Sequence, residues 1–153
     1  MKLTTKFAIS SGSPETAAAG ARIARSGGNA VDVAVAAALT APVGEILMAS
    51  LGGSAFVMVH RPGRDAELID GADMMPDLTG REPPGPQQFR VAHLPYGDGI
   101  EVMAGHASVA VPGMLAAVEH AWKRHGVLPW SEVVAPALEL AREPMSTGRT
   151  IAE

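Results

Sequence analysis

The sequence predicts an α+β fold in which helices pack on an antiparallel hairpin. Two Ala-rich helical patterns meet at residues 26–32, which read Ser-Gly-Gly-Asn-Ala-Val-Asp. Two short β-rich runs, at residues 54–60 and 66–70, are separated by only five residues. Such spacing is typical of an antiparallel hairpin. Two more helical patterns follow residue 113.

The first elements are predicted to be a short strand and a helix. Residues 7–11 are apolar and end at Gly12, which indicates a buried strand that stops at a turn. The next helix should cover residues 14–26, because a capping hydroxyl at Ser13 is followed by Pro14 and Glu15. Its apolar side chains are mostly Ala, so its neighbour can approach closely.

The second helix is predicted over residues 30–41. Gly27 can take a positive φ and close the preceding helix, while Asn29 caps the new one with Asp32 at its third position. Apolar side chains lie on several faces of this segment, which favours a helix buried in the core. We expect Pro42 to end it.

The strands and a long loop follow. Residues 54–60 are apolar on both faces, as in a central strand, and residues 66–70 complete the hairpin. Residues 77–105 are rich in Pro and Gly without a detectable period, which predicts a long loop within a single domain of residues 1–153.

Two helices are predicted after this loop. The first should run from Met114 to His125, with Gly126 as its stop. The second should run from Pro129 or Ser131 to Arg142, with a kink or late start at Pro136 and a stop at Pro144.

Composition excludes several classes of protein. A formal net charge of −4, without a dense run of either sign, argues against a nucleic-acid partner. The absence of cysteine excludes disulfides and thiolate metal sites but leaves the compartment open. The start of the sequence suggests neither a signal peptide nor a membrane span.

The commonest site motifs are also missing. The five histidines, at positions 60, 93, 106, 120 and 125, show no metal-ligand spacing, so we expect no metal and no cofactor. Gly52-Gly53 lacks the surroundings of a phosphate loop and is interpreted as a packing turn. The serines lack the Gly-x-Ser-x-Gly elbow of many serine hydrolases.

Asp70 and Asp73 are the most suggestive carboxylates, because both follow the second strand of the hairpin. Loops at strand ends often hold ligands. Aspartate is also a common turn former, and the residues alone favour that interpretation.

Several motifs together resemble the gamma-glutamyltransferase family. They cover nearly the whole chain: Ser11-x-x-Pro14-Glu15-Thr16-Ala17, residues 26–32, Leu51-Gly52-Gly53-Ser54-Ala55-Phe56-Val57-Met58-Val59, Ile69-Asp70-Gly71-Ala72-Asp73-Met74-Met75-Pro76, Val111-Pro112-Gly113, His125-Gly126-x-Leu128-Pro129-Trp130 and Val133-Val134-Ala135-Pro136-Ala137-x-x-Leu140-Ala141. Each motif alone is weak, but their joint order and spacing are specific.

The resemblance implies part of the αββα sandwich of an N-terminal-nucleophile hydrolase. In that family a precursor cuts itself into two subunits, and the new N-terminal Thr of the small subunit attacks a gamma-glutamyl amide. This chain would supply the start of the large subunit, with no catalytic residue of its own. Its partners would be the C-terminal part of the same precursor and a small amide substrate, with Asp73 as a substrate-binding residue.

One departure from the family leaves three functions open. The family binds a substrate carboxylate through an Arg in a motif resembling Arg-Glu-x-Ala-Pro, where this chain has Ala72-Asp73-Met74-Met75-Pro76. Arg61, Arg64 and Arg81 are nearby in sequence, but nothing positions them. The chain could belong to a gamma-glutamyltransferase-like enzyme, to a divergent acylase or amidase, or to a non-catalytic packing module.

Overall fold

A computed structural model describes residues 7–77, 79–80, 82 and 89–143. The predicted stop at Pro144 and the nearby Arg81 lie outside the described residues. The elements in chain order are α1 (Pro14–Arg25), α2 (Ala30–Gly44), β1 (Ala55–Val59), β2 (Glu67–Gly71), β3 (Arg90–Leu94), β4 (Ile100–Ala104), a short 3-10 helix (His106–Ser108), α3 (Met114–His125) and α4 (Trp130–Leu140). They separate into a first unit, which holds the described residues up to Ala72 and from Pro112 on, and a second unit within Asp73–Val111.

The corner between α1 and α2 has the predicted caps. Ser13 Oγ accepts a hydrogen bond from the Thr16 amide at the start of α1. Gly27 has φ of 94°, which a residue with a side chain rarely adopts. Asn29 Oδ1 accepts from the Asp32 amide, and Asp32 Oδ2 accepts from the Asn29 amide, which forms a reciprocal capping box.

The second helix is longer than the sequence predicts. Pro42 lies inside α2, and the helix ends only at Gly44. Pro42 has no amide to donate to Ala38 O, so one helical hydrogen bond is missing there. The Glu45 amide still donates to Ala41 O at 2.7 Å, so the last turn closes despite Pro42.

The first hairpin has the predicted antiparallel pairing, with Val57 opposite Ile69 and Phe56 opposite Asp70. One face of this hairpin packs against helices: Ile69 is buried, and Val57 and Val59 contact the core. The other face carries Phe56, Met58 and Leu68, all exposed.

The core of the first unit lies between this hairpin and the helices. Its most deeply buried apolar side chains come from all four helices. They include Ile23, Val35, Val118 and Val133. As the Ala-rich sequence predicts, alanines fill much of the remainder and allow α1 and α2 to pack closely.

The last helix begins well before Pro136. It starts at Trp130, six residues before Pro136, so the alternative of a late start at the proline is wrong. Trp130 packs beside Trp122 of α3, with ring centroids 5.1 Å apart. Trp122 also donates through Nε1 to Leu128 O at 2.8 Å, which fixes the link between the two helices.

The prediction of a strand at residues 7–11 is wrong. Within the described part of the chain this segment has no strand partner and runs past the first two helices instead. Its packing explains the conformation, because Ile9 Cδ1 lies 3.1 Å from where a Cβ on Gly20 would stand. The segment can therefore pack closely against α1 because Gly20 has no side chain there.

The prediction of one long loop at residues 77–105 is wrong for residues 90–104, while residues 78, 81 and 83–88 of that range lie outside the described residues. The second unit contains an antiparallel hairpin of β3 and β4, with Ala92 opposite Val102. Gly97 and Gly99 in its turn have positive φ angles of 61° and 92°. Two of the glycines that contributed to the loop prediction, Gly97 and Gly99, therefore form the turn of this hairpin.

Candidate functional site

Asp70 lies on the exposed face of the first hairpin, at the end of β2. Its Oδ1 accepts a hydrogen bond from the Ala72 amide at 2.9 Å. This contact is a side-chain turn that directs the chain out of the sheet. The structure thus supports the turn-forming interpretation for this aspartate.

Asp73 begins the second unit and is exposed. The residue after it, Met74, pairs with Val111 through two backbone hydrogen bonds of 3.0 and 2.8 Å. Asp73 is therefore placed beside a fixed backbone junction. Its role as a substrate ligand stays a prediction.

The Gly52-Gly53 step is a turn between α2 and β1 that holds the start of α3. Gly53 O accepts from the Met114 amide at 3.0 Å, and the Gly52 amide donates to Ser50 Oγ at 3.1 Å. The α3 N-terminus has no side-chain cap, so the Gly53 carbonyl satisfies one of its free amides. These contacts support the packing-turn interpretation.

A close crossing of β2 and the start of α3 depends on two further glycines. A Cβ on Gly71 would lie 2.7 Å from Ala55 O and 2.5 Å from the Ala117 Cβ. A Cβ on Gly113 would lie too close to the Gly71 carbonyl. Both positions exclude side chains, which allows the end of β2 and the start of α3 to cross closely.

Asp32 connects the α1–α2 corner to the loop between α3 and α4. Its side chain is fully buried, and its carboxylate accepts from the Val127 amide at 3.1 Å and the Leu128 amide at 3.4 Å. The capping role was predictable, but these contacts were not, because 95 residues separate the partners. Asn29 adds a hydrogen bond from Nδ2 to His125 O at 2.6 Å.

A charged cluster at one end of the first hairpin was missed by sequence reasoning. His125 Nε2 lies 3.1 Å from Glu67 Oε2, and Arg124 Nε lies 2.9 Å from Glu67 Oε1. Arg61 Nη2 lies 3.1 Å from His125 Nδ1. No local spacing indicated this cluster, because a loop, a strand and a helix contribute to it. The guanidinium group of Arg61 is therefore hydrogen bonded to His125 in this structure.

The other histidines are dispersed. His60, His93, His106 and His120 are all exposed, on four different elements or loops. Among residues 7–77, 79–80, 82 and 89–143, no three His, Asp or Glu side chains are grouped so as to hold a metal ion.

In the same part of the chain, no helix combines the length and apolarity needed to cross a bilayer.

Asp77 of the second unit is a carboxyl whose pKa is lowered by hydrogen bonds. The Thr79 hydroxyl, 2.6 Å from Asp77 Oδ1, lowers the pKa of this carboxyl, and the Thr79 amide reinforces the shift. Both contacts stabilise the charged form. The pair shapes a turn four residues after Asp73.

The solved structures that share this fold define its class. A gamma-glutamyltranspeptidase from Pseudomonas nitroreducens, in complex with L-DON, matches 97% of this chain with a TM-score of 0.72 at 23% identity, and 42% of that chain is covered. The Bacillus anthracis transpeptidase CapD matches 95% with the same TM-score at 21% identity. The α+β fold is therefore part of an N-terminal-nucleophile hydrolase fold.

Sequence comparison identifies the family. The family model for gamma-glutamyltranspeptidase matches residues 16–153, so the chain belongs to the gamma-glutamyltranspeptidase family. Glutathione hydrolase 2 of Arabidopsis thaliana is 35% identical over 89% of this chain. The glutathione hydrolase proenzyme of Bacillus subtilis is 29% identical over 95%.

The chain spans only part of these relatives. It covers 22% of the Arabidopsis protein and 24% of the Bacillus protein. The matched stretch is the N-terminal portion of the relatives. The resemblance inferred from the sequence motifs is thus confirmed at the level of family and fold.

Proposed function

We propose that this chain is the N-terminal, large-subunit part of a gamma-glutamyltransferase-like enzyme whose Thr nucleophile lies in polypeptide outside it. The observation that carries this proposal is the family match over residues 16–153 together with coverage of about a fifth to a quarter of the relatives. The reaction proposed is cleavage or transfer of a gamma-glutamyl amide.

In this mechanism the chain acts as a scaffold. The Thr hydroxyl is activated by the amine of the same residue and attacks the amide carbon, which releases the amine product and leaves an acyl-enzyme. Water or an acceptor amine then takes the acyl group. The exposed outer face of the first hairpin, with Phe56, Met58 and Leu68, supports a scaffold that another layer covers.

Asp73 is the residue of this chain proposed to contact substrate. It is exposed next to Met74, whose backbone is held by two hydrogen bonds to Val111. These bonds fix the position of the backbone from which the Asp73 side chain extends. A carboxylate there can accept hydrogen bonds from the ammonium group of an amino-acid-like substrate.

A second candidate function is an acylase or amidase of the same superfamily. Ala72 favours it, because it stands where the sequence resemblance places the family's carboxylate-binding Arg. Without a guanidinium at this position, the site lacks a bidentate partner for a substrate carboxylate.

One experiment tests the proposal and separates the two candidates. The complete precursor is expressed, its processing is followed by intact mass, and hydrolysis of gamma-glutamyl and non-glutamyl anilides is compared. Autocleavage to a fragment with N-terminal Thr, with gamma-glutamyl preference, supports the first candidate. Autocleavage with preference for the other anilides supports the acylase. Absence of both processing and hydrolysis would leave the non-catalytic packing module as the correct description.

Substitution of Asp73 tests its proposed role in the same assay. Asp73→Asn should raise KM by roughly ten- to hundredfold with a smaller change in kcat, because a charged hydrogen bond to the substrate is lost. The matched control is Asp98→Asn, at an exposed position in the β3–β4 turn, which should leave KM unchanged. Equal KM values for both variants would exclude Asp73 from the site.

A further inference from the structure

The first unit contains a hydrogen-bonded chain that links the β1–β2 loop to α3 through one imidazole. Arg61 of the loop, His125 at the end of α3 and Glu67 of β2 form it. The His125 side chain is only 11% exposed, so its ring is held between its two neighbours.

The chemistry of the two neighbours fixes the form of the ring. An Arg guanidinium only donates hydrogen bonds, so His125 Nδ1, 3.1 Å from Arg61 Nη2, must accept. An ionised carboxylate only accepts, so His125 Nε2, 3.1 Å from Glu67 Oε2, must donate. A ring with one accepting and one donating nitrogen is a neutral imidazole. Because Nε2 is the donor, the single ring proton lies on Nε2.

Protonation of His125 breaks one of these links and keeps the other. A second proton occupies Nδ1 and turns it into a donor, which opposes the Arg61 donor directly. The contact with Glu67 becomes an ion pair and is retained. A cavity of about 70 Å³, lined in part by Arg64 and Asp65, lies beside the ring and is large enough for water.

Other charged groups around the ring are accounted for. Arg124, on the same helix, is paired with Glu67 Oε1, and Asp32 of α2 is occupied by the backbone amides of residues 127 and 128. Arg64 and Asp65 come from the same loop as Arg61. Arg61 is the group among these that hydrogen bonds to Nδ1.

We propose that Arg61, His125 and Glu67 form a pH-sensitive latch that holds the β1–β2 loop against α3 only while His125 is neutral. Acidification releases Arg61 and loosens the loop, while β2 stays attached to α3 through Glu67. The latch is independent of the proposed amide chemistry, since none of its residues is assigned to that site.

Nuclear magnetic resonance of the 153-residue chain tests the latch. Ring nitrogen shifts should show the Nε2–H form of His125 at about pH 8. The Arg64 amide, which donates to Arg61 O at 3.0 Å, reports on the loop. Its hydrogen-exchange protection factor should fall roughly two- to tenfold, relative to that of Val118, between about pH 8 and pH 5.

Matched variants separate the latch from general acid effects. His125→Gln offers an acceptor and a donor at every pH, so it should keep the Arg64 protection constant. His120→Gln, at an exposed position on the same helix, should behave like the parent chain. An Nδ1–H ring at high pH, unchanged Arg64 protection in the parent chain, or the same loss in His125→Gln would overturn the proposal.

A second variant decides the matter if His125→Gln does not fold by circular dichroism. Arg61→Ala removes the loop side of the latch at an exposed position. Low and pH-independent Arg64 protection in this variant supports the latch, whereas retained pH dependence overturns it.

Discussion

Asp32 links two parts of the first unit, the start of α2 and the loop between α3 and α4. Its carboxylate is fully buried, caps α2 and accepts backbone amides from the α3–α4 loop. Its charge lies at the positive end of α2, which helps to offset the cost of burial.

Asp32→Asn should lower the free energy of unfolding by about 2–3 kcal/mol. The charge-assisted hydrogen bonds that Asp32 accepts from backbone amides are lost. In addition, the NH2 group of the new Asn side chain is a donor and would face backbone N–H donors. Urea unfolding followed by circular dichroism measures the change. Asp70→Asn is the matched control, because Asp70 is exposed and an Asn oxygen can still accept from Ala72; its effect should stay within about 0.5 kcal/mol. Equal losses in the two variants would contradict the role given to Asp32.

At the level of elements, the crossing of β2 and α3 sets a limit on side-chain size. Gly71→Ala should destabilise the first unit by about 1–3 kcal/mol, because the new methyl group meets the Ala55 carbonyl and the Ala117 methyl group within 2.7 Å. Thermal unfolding gives the measurement. Gly52→Ala, whose Cβ would lie 3.7 Å from Ser50 Oγ, should cost much less. A Gly71→Ala protein as stable as Gly52→Ala would show that the crossing is looser than described.

The ion pair between α1 and α4 has a predictable pH dependence. Arg22 binds both carboxylate oxygens of Glu139 and, through these hydrogen bonds, lowers the pKa of Glu139, while the pKa of Arg22 is raised. A carboxyl with a lowered pKa in the folded state stabilises the protein above its unfolded pKa, and the contribution is lost as pH falls through the folded value.

Glu139→Gln should therefore be less stable than the parent chain near neutral pH, and the difference should vanish in acid, below the lowered pKa of Glu139. The difference is small because both side chains are about half exposed. Urea unfolding at several pH values measures it, with Arg22→Gln and the double variant completing a cycle. Additive effects across the cycle at neutral pH would argue against the coupling.

Local signals predicted most of the helices and the first hairpin, because their caps and turns lie within a few residues. Asn29 and Asp32 gave the start of α2, and Gly126 gave the end of α3. The errors at residues 7–11 and in the second hairpin have a shared physical cause. Strand formation depends on a partner, and composition alone does not show whether a partner is present.

The candidate site was predictable only as far as single residues. The turn at Asp70 followed from its position at a strand end, whereas the cluster of Arg61, Glu67 and His125 depends on tertiary contacts between distant segments. No sequence period reports such contacts.

At the scale of the whole molecule, the first hairpin leaves one apolar face exposed. Phe56, Met58 and Leu68 are 62%, 69% and 56% exposed. The 153-residue chain alone should self-associate, because this face and the hairpin edges favour contact with other chains. Its sedimentation coefficient should rise with concentration.

Met58→Lys should reduce this association, since it places a charge in the middle of the apolar face. Leu138→Lys, at an exposed position on α4, is the matched control and should leave the sedimentation coefficient unchanged. A parent chain that stays monomeric at all concentrations would contradict this prediction.

The most direct test of the central claim is the rate of gamma-glutamyl anilide hydrolysis by the 153-residue chain alone and by the complete precursor that contains it. The account predicts no turnover by the chain alone and turnover by the precursor, because the proposed Thr nucleophile lies outside these residues. Hydrolysis by the isolated chain at a rate comparable to that of the precursor would contradict it.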